Sequence, residues 1–291
     1  MMVSEKVGYF VPFPHIPEDI RVKYSINGLF LRPFGVLEDD LNIDFNQKAR
    51  PSLVTQILQC CTSDKNGKML EQDFFWDLTV GKRIECLVTI ATLWDLSKLS
   101  VYLRCSNEMC QQPMDLDISQ KEIANLQLQS DKTDSFMIQI GDKSLLIRKP
   151  TGRDQIKWLK TLKTPFANED AAIQWMIRSL LYENEKISPD SDIKYPISDE
   201  WVKTIGESME EFDQLVNLNL MVYCPYCEKE GRYKINLEEL SLFKLHKAQR
   251  SLLQTVHRLA FYYHWSEEDI FSIPPWRRFH YLALIEKEGI R

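Results

Sequence analysis

Seven cysteines punctuate this 291-residue chain: Cys60, Cys61, Cys86, Cys105, Cys110, Cys224 and Cys227. Four of them form two tight pairs, Cys105-x4-Cys110 and Cys224-x2-Cys227. Short cysteine turns let two thiolates converge on one cation at ~2.3 Å, and two such turns complete a tetrahedral shell. Soft thiolates in a tetrahedron favour Zn²⁺, which brings no redox chemistry of its own. Four cysteine ligands leave no open coordination position, so the expected role is structural rather than catalytic. The pairs are far apart, with 113 residues between Cys110 and Cys224. Closing such a loop costs on the order of 4 kcal/mol beyond a constant, against roughly 10–16 kcal/mol from a structural zinc. Cys224-Pro225-Tyr226-Cys227 is the more specific signal, and the x4 spacing is weaker alone. Two alternatives stay open: coincidentally buried thiols, or metal bound between different chains.

The other three cysteines read as inert core thiols. Cys60 and Cys61 are adjacent in a helix-like segment with Leu53, Ile57 and Leu58, and neighbours do not normally close an unstrained bridge. Cys86 sits in an apolar helical run, and free Cys is among the most often buried residues. An odd count does not read as a disulfide framework and points to a reducing cytoplasm.

The elements that must position these residues follow from hydrophobic periodicity. Residues 1–50 are rich in Pro, Phe and Tyr and read as an extended N-terminal arm. Residues 51–101 carry helical spacing, with helices predicted from Leu53, from Glu71 and from Gly81 to Trp94. Residues 102–150 hold the first cysteine pair, then period-two strands at Met114–Ile118, Phe136–Ile140 and Ser144–Arg148. Residues 151–221 read as a helical insertion: one helix from Gly152, one from Ala171 to Leu181, a break at Pro189–Pro196, and one capped by Ser198. Residues 222–250 hold the second pair and a strand at Tyr233–Leu237. Residues 251–291 read as a C-terminal helical hairpin, with Ser266 capping a short helix and Pro274-Pro275 preceding the last one. The expected class is α+β, mainly helical, with a small zinc-ribbon-like β element formed by the two distant knuckles.

Both knuckles share one order: strand, cysteine, tight turn, cysteine, polar turn, strand, apolar run. Around them lie Gly81-Lys82-Arg83-x4-Val88, His257-Arg258-Leu259-Ala260, Tyr263-x-Trp265-Ser266-Glu267-x2-Ile270 and Arg277-Arg278-x2-Tyr281-Leu282. This order resembles the baseplate hub assembly chaperone family of T-even phages, in the form encoded beside phage-tail-like contractile injection systems. The resemblance runs from about residue 50 to the end, and its C-terminal motif is the most specific part. It implies a non-enzymatic chaperone or minor structural component acting on baseplate or hub subunits of a contractile tail. It also implies the cytoplasm of a bacterial producer or phage host cell, with the protein either released or retained in the particle. Two departures stand out: the first knuckle lacks a proline, and residues 1–50 match nothing in the family.

Composition narrows the field. Hydrophobic residues at 44% and charged residues at 27% are ordinary for a folded chain. The net charge of −6 argues against broad binding to phosphate backbones. The rival to an assembly protein is a zinc-ribbon nucleic-acid-binding adaptor using Lys229, Arg232, Lys234, Lys244, Lys247, Arg250 and Arg258. Glu228, Glu230, Glu238 and Glu239 dilute that patch. No apolar run is long enough to span a bilayer, and the N-terminus lacks the pattern of a signal peptide. No phosphate loop, dinucleotide fingerprint or His-Glu-x-x-His motif is present, so no catalytic residue is expected. His257 and His264 can share a helix face, without an accompanying carboxylate pattern. Trp276, Arg277, Arg278, Phe279 and Tyr281 crowd together after the double proline. Trp, Tyr and Arg are enriched at binding hot spots, so the segment from about 251 to 288 is the expected partner-binding surface, with a core role for the aromatics and a solvated Arg277-Arg278 pair as the open alternatives.

Overall fold

The computed structural model describes residues 10–94, 98–130, 133–140, 143–161, 169–182 and 197–289. The predicted break at Pro189–Pro196 lies outside them. In chain order the elements are β1 (Val11–Pro12), α1 (Glu18–Lys23), β2 (Leu29–Leu31), a 3-10 turn (Glu38–Asn42), α2 (Arg50–Cys61), β3 (Thr62–Asp64), α3 (Gln72–Asp77) and α4 (Val80–Thr92). β4 (Lys98–Arg104), β5 (Pro113–Ser119), α5 (Gln120–Ser130), β6 (Ser135–Ile140), β7 (Lys143–Arg148), α6 (Gly152–Thr161), α7 (Glu169–Arg178) and β8 (Leu181–Tyr182) follow. The chain continues with α8 (Asp199–Phe212), β9 (Leu218–Tyr223), β10 (Glu230–Ile235), α9 (Leu237–Tyr263), α10 (Glu267–Ser272) and α11 (Pro275–Gly289). Helices and small sheets are mixed, as the α+β reading expects. The sheets are β1-β2-β3, β4-β5, β6-β7-β8 and β9-β10.

The chain divides into two units. The terminal unit takes the residues up to Gln72, Cys86–Lys98 and those from Glu238 on; the inner unit takes Asp73–Glu85 and Leu99–Leu237. α4 is therefore split, its first half belonging to the inner unit and its second to the terminal one.

In the terminal unit residues 10–50 are integrated into the fold, and the remainder of the predicted 1–50 arm lies outside the described residues. β2 lies between β1 and β3, both antiparallel to it, and Leu31, Phe34 and Val36 are buried. A buried ion pair fixes this stretch. Arg32 donates to both carboxylate oxygens of Asp40, at 3.1 and 2.8 Å. One of those oxygens also accepts the N–H groups of Gly35, Val36 and Leu37. At the other end of the sequence, Leu252, Val256 and Leu259 of α9 pack with Ile270 and Phe271 of α10 and Ile285 of α11. Ser266 caps α10: its Oγ accepts the Asp269 N–H at 3.1 Å, and the Asp269 carboxylate accepts the Ser266 N–H at 3.0 Å. The Ser266 hydroxyl, donating to the same carboxylate at 2.6 Å, and then the Ser266 N–H hold the Asp269 carboxyl below its usual range.

In the inner unit Phe136, Ile138 and Ile147 of β6 and β7 pack with Ile177, Leu180 and Leu181 and with Ile205 of α8. α7 stops at Arg178, and Leu181 enters strand β8 instead of the predicted helix. The reason is local: β7 has a free edge, and Leu181 pairs with Ile147 across it. Ser198 caps α8 as expected, its Oγ accepting the Trp201 N–H at 3.4 Å. Arg148 binds Asp154 at both oxygens, at 2.6 and 2.7 Å.

The Gly81-Lys82-Arg83 motif is interior. Lys82 Nζ pairs with Glu85 at 2.6 Å, both side chains nearly inaccessible. Arg83 donates to the Phe75 carbonyl at 2.7 Å and lies over the Trp76 ring. A Cβ on Gly81 would collide with the Asp213 carboxylate and approach Gln127 Oε1 to 2.9 Å. Asp213 and Gln127 are each 1% exposed, so neither yields easily. Helix propensity alone predicts that Gly81→Ala stabilises by roughly 1 kcal/mol. The collision reverses the sign, and we expect Gly81→Ala to destabilise by about 1–3 kcal/mol. A denaturant midpoint equal to or above wild type would contradict this packing.

Candidate metal centre

All four paired cysteines come together within the inner unit. Strand β4 delivers Cys105, the chain turns through Cys110, and β5 returns. β9 delivers Cys224, the chain turns through Cys227, and β10 returns. β9 and β10 are antiparallel, with Tyr223 opposite Glu230 and Leu218 opposite Ile235. Period-two burial orients the first arm: Leu99 and Val101 in β4 and Met114 and Ile118 in β5 are buried, and their neighbours face outward.

The two loops differ in length but close alike. The Cys105 N–H donates to the Gln112 carbonyl and the Cys224 N–H to the Lys229 carbonyl, each at 3.0 Å. Gln111 and Glu228, each directly after the second cysteine of its pair, are left-handed, with φ of 47° and 57°. A non-glycine residue takes that conformation only where its surroundings dictate it, here at equivalent places in both turns.

Cys105 and Cys227 sulfurs are 3.6 Å apart, and Cys110 and Cys224 sulfurs 3.8 Å. All four lie within 4.8 Å of one another. A tetrahedron of ~2.3 Å metal–sulfur bonds sets its sulfurs about 3.8 Å apart, so the spacing fits one ion. It is far beyond the ~2.05 Å of a disulfide, and every described cysteine is a free thiol. Cys105 and Cys224 are buried, while Cys110 and Cys227 are partly open. Cys105, Met114 and Cys224 form a small apolar cluster with Leu103, Val222 and Tyr233 packed against it. The backbone N–H of Lys229 and then the Asn107 side chain draw the Cys227 thiol down to about 6. At Cys105 the Asn107 backbone acts in that sense too, but burial and the neighbouring thiols outweigh it and push the group up to about 12.

Three supporting contacts carry no cysteine signal in the sequence. Asn107 Nδ2 donates to Cys227 Sγ at 3.6 Å, from the first turn to the second. The Ser106 N–H donates to the Tyr233 hydroxyl at 2.9 Å, tying the first loop to β10. Gly231 lets the arms approach, because a Cβ there would meet Ser106 Oγ at 2.5 Å and the Tyr233 ring at 2.8 Å. Only the polar residue inside the x4 loop hinted at the first of these contacts.

The remaining thiols behave differently. Cys86 is fully buried. Asp40, Cys60 and Cys61 also lie close enough to share a cation. Arg32, however, already sets a positive charge on Asp40 and donates to Cys60 Sγ at 3.1 Å. Burial foremost, then the bond to Cys60, pushes the Cys61 thiol up, and the Arg32 guanidinium already holds the place a cation would take beside Asp40 and Cys60.

The residues expected at a partner surface split on α11, in the terminal unit. Trp276 and Phe279 are 62% and 55% exposed, whereas Arg278 is 3% exposed. Arg277 is exposed and donates to the Tyr281 hydroxyl at 3.1 Å. Tyr281 is half-buried, edge-on to Tyr263 and Trp265. His257 and His264 do not share a helix face: α9 ends at Tyr263, and His264 follows at φ 55° as its left-handed cap. No helix among the described residues is long and apolar enough to cross a membrane.

The fold and centre define a mixed α+β chain with a four-thiol site able to hold a metal ion. No protein-family model matches the chain, and no curated protein and no solved structure matches it either.

Metal loading must expel the Cys105 and Cys110 protons, since both thiols are pushed up, whereas the Cys227 thiol is drawn down to about 6. Affinity should therefore weaken as pH falls, and more steeply once pH drops through about 6, where Cys227 also protonates. Titration with Co²⁺, read by thiolate charge-transfer absorption, measures this. Asn107→Ala should weaken binding by about 10–100-fold, the usual effect of losing an outer-shell bond. Unchanged affinity would place Asn107 outside the centre's support.

Proposed function

We propose that Cys105, Cys110, Cys224 and Cys227 hold one structural Zn²⁺, and that the protein is a non-enzymatic assembly factor for the baseplate or hub of a phage tail or contractile injection system. The observation that carries the first part is the sulfur spacing, which suits a closed tetrahedron with no position left for substrate. The paired strands with a cysteine turn at each tip support reading it as a zinc-ribbon-like element assembled from two distant segments. Such a centre fixes the inner unit and performs no chemistry.

The second part rests on the motif order resembling the hub assembly chaperones, and on what α11 offers a partner. Trp276, Arg277 and Phe279 stand open on it, and Leu253, Phe261, Tyr262 and Leu284 are further large apolar side chains open to solvent in α9 and α11. Together α9, α10 and α11 supply the helical hairpin that would engage a baseplate or hub subunit. Pro275 opens α11, a position where proline is pre-organised for the helix and limits the entropy lost on docking. The protein would act in the cytoplasm of the producing cell, as a transient chaperone or as a minor component kept in the particle. The adaptor reading is less well supported: of its basic residues, Arg232 pairs with Glu210 at 3.1 Å and Arg258 with Glu286 at 3.0 Å.

Freshly purified protein should contain about one equivalent of zinc by elemental analysis, and Cys224→Ser should lose both the metal and the cooperative unfolding transition. Metal-free wild-type protein with an unchanged transition would refute the structural centre. For the partner surface, Trp276→Ser combined with Phe279→Ser should keep zinc content and the thermal midpoint near wild type. The same variant should no longer co-purify with baseplate or hub subunits from the producing cell. Normal particles assembled with it would move the interface elsewhere, and tight, salt-sensitive retention of DNA or RNA on filters would favour the adaptor.

A further inference from the structure

The terminal unit buries an arginine whose charge is only partly answered. Arg278 is 3% exposed. Its Nη2 donates to the Val36 carbonyl at 2.6 Å, and its guanidinium lies over the Phe271 ring, 5.2 Å from the centroid. Nε and Nη1 are also buried, and neither has a hydrogen-bond partner among the described residues. Burial pushes the group down to about 10, with only the charge of Asp40 working the other way. Asp40 gives Arg278 no hydrogen bond, because its carboxylate is engaged by Arg32 and by three backbone N–H groups.

Arg278 also lines a cavity of about 30 Å³, together with Gly35, Trp94, Ser251, Thr255 and Phe279. It is the one charged residue among those lining it. A water-sized group needs roughly 10–15 Å³ of such space, so the cavity admits two oxygen-sized atoms. Trp94 and Phe279 meet edge to face, with centroids 6.2 Å apart. They are 37% and 55% exposed, so these two walls reach the surface. Trp94 is fixed there, its Nε1 donating to the Phe34 carbonyl at 2.9 Å.

We propose that this cavity receives the side-chain carboxylate of an Asp or Glu presented by a protein partner, with Arg278 as the charge that binds it and Trp94 and Phe279 flanking its stem. The two oxygens of a carboxylate match the space, whereas a phosphate or sulfate brings four. A chain-terminal carboxylate carries the last residue's own side chain on the same carbon and does not fit so small a chamber; a methylene stem does. A buried guanidinium with unused donors is a strong anchor for a carboxylate, since charged hydrogen bonds strengthen away from water. The proposal takes from the preceding section only that α11 meets a protein, and nothing about which assembly that protein belongs to.

The test is a ¹H–¹⁵N titration of the intact protein that follows the Arg278 Nε–H resonance, assigned by its loss in Arg278→Lys. N-acetyl-glutamate α-amide should give a saturating shift. The glutamine counterpart and N-acetyl-leucine, which offers only a chain-terminal carboxylate, should bind at least tenfold more weakly. Ser251→Leu fills the cavity from α9 without touching the Val36 contact and should abolish saturation. Should Arg278→Lys fail to fold, the ligand series and Ser251→Leu still decide the matter. An equal response to the glutamine analogue or to chloride, or an undiminished response in Ser251→Leu, would overturn the site. Tighter binding of N-acetyl-leucine would overturn the side-chain assignment. Failure of the tail-assembly reading would leave these titrations untouched.

Discussion

Four sulfurs must meet across a chain separation of 114 positions, and that requirement organises the inner unit. Two strands converge on one point only if each is held by its own partner strand, so each knuckle comes with a return strand. The intervening residues cannot remain a bare loop, because a long structureless excursion loses entropy without compensation. They fold instead, with β6, β7 and α8 packing around Phe136, Ile147 and Ile205. The centre has little apolar support of its own, Cys105, Met114 and Cys224 forming a small cluster, and an ion held by the four thiols would add to its stability.

The terminal unit solves a comparable problem with a carboxylate. The stretch Gly35–Leu37 lies outside any helix or strand, and its N–H groups would be stranded in the interior. Asp40 accepts all three while neutralising Arg32. A buried charge pair of this kind is weak evidence for net stability, because desolvation offsets much of its attraction. Its effect is to dictate one conformation, since any alternative leaves an unpaired charge away from water.

Much of this was legible in the sequence. The Cys105 and Cys224 pairs could be read because two turns with the same flanking alternation are a rare coincidence. Ser198 and Ser266 could be read because a cap depends on residues within one helical turn. What escaped were contacts set by the approach of segments far apart in the chain. Nothing local marks Tyr233 as the acceptor for Ser106, or Gly231 as the site where two arms touch. Arg278 escaped for a related reason: its sequence neighbours Trp276, Arg277 and Phe279 face solvent, and only the position of Val36 decides that it turns inward. The helix predicted to run to Leu181 ended early because an open edge of β7 outweighed helical periodicity.

The split of α4 bears on how the polypeptide emerges from a ribosome. The inner unit is contiguous apart from the short stretch Asp73–Glu85, so everything it needs, including both cysteine turns, has been synthesised once Leu237 has left the exit tunnel. The terminal unit cannot close until residues beyond Glu238 follow, although its opening seventy-two residues were made first. Early in synthesis Gly35, Asp40 and Phe45 must therefore wait for Ala248, Gln249 and His246 of α9, which contact them in the folded unit. At elongation rates of roughly 5–20 residues per second that interval lasts on the order of ten seconds or more. A nascent chain in that state displays the surface that holdase chaperones bind, so a protein proposed to help others assemble would itself be a client while it is being made.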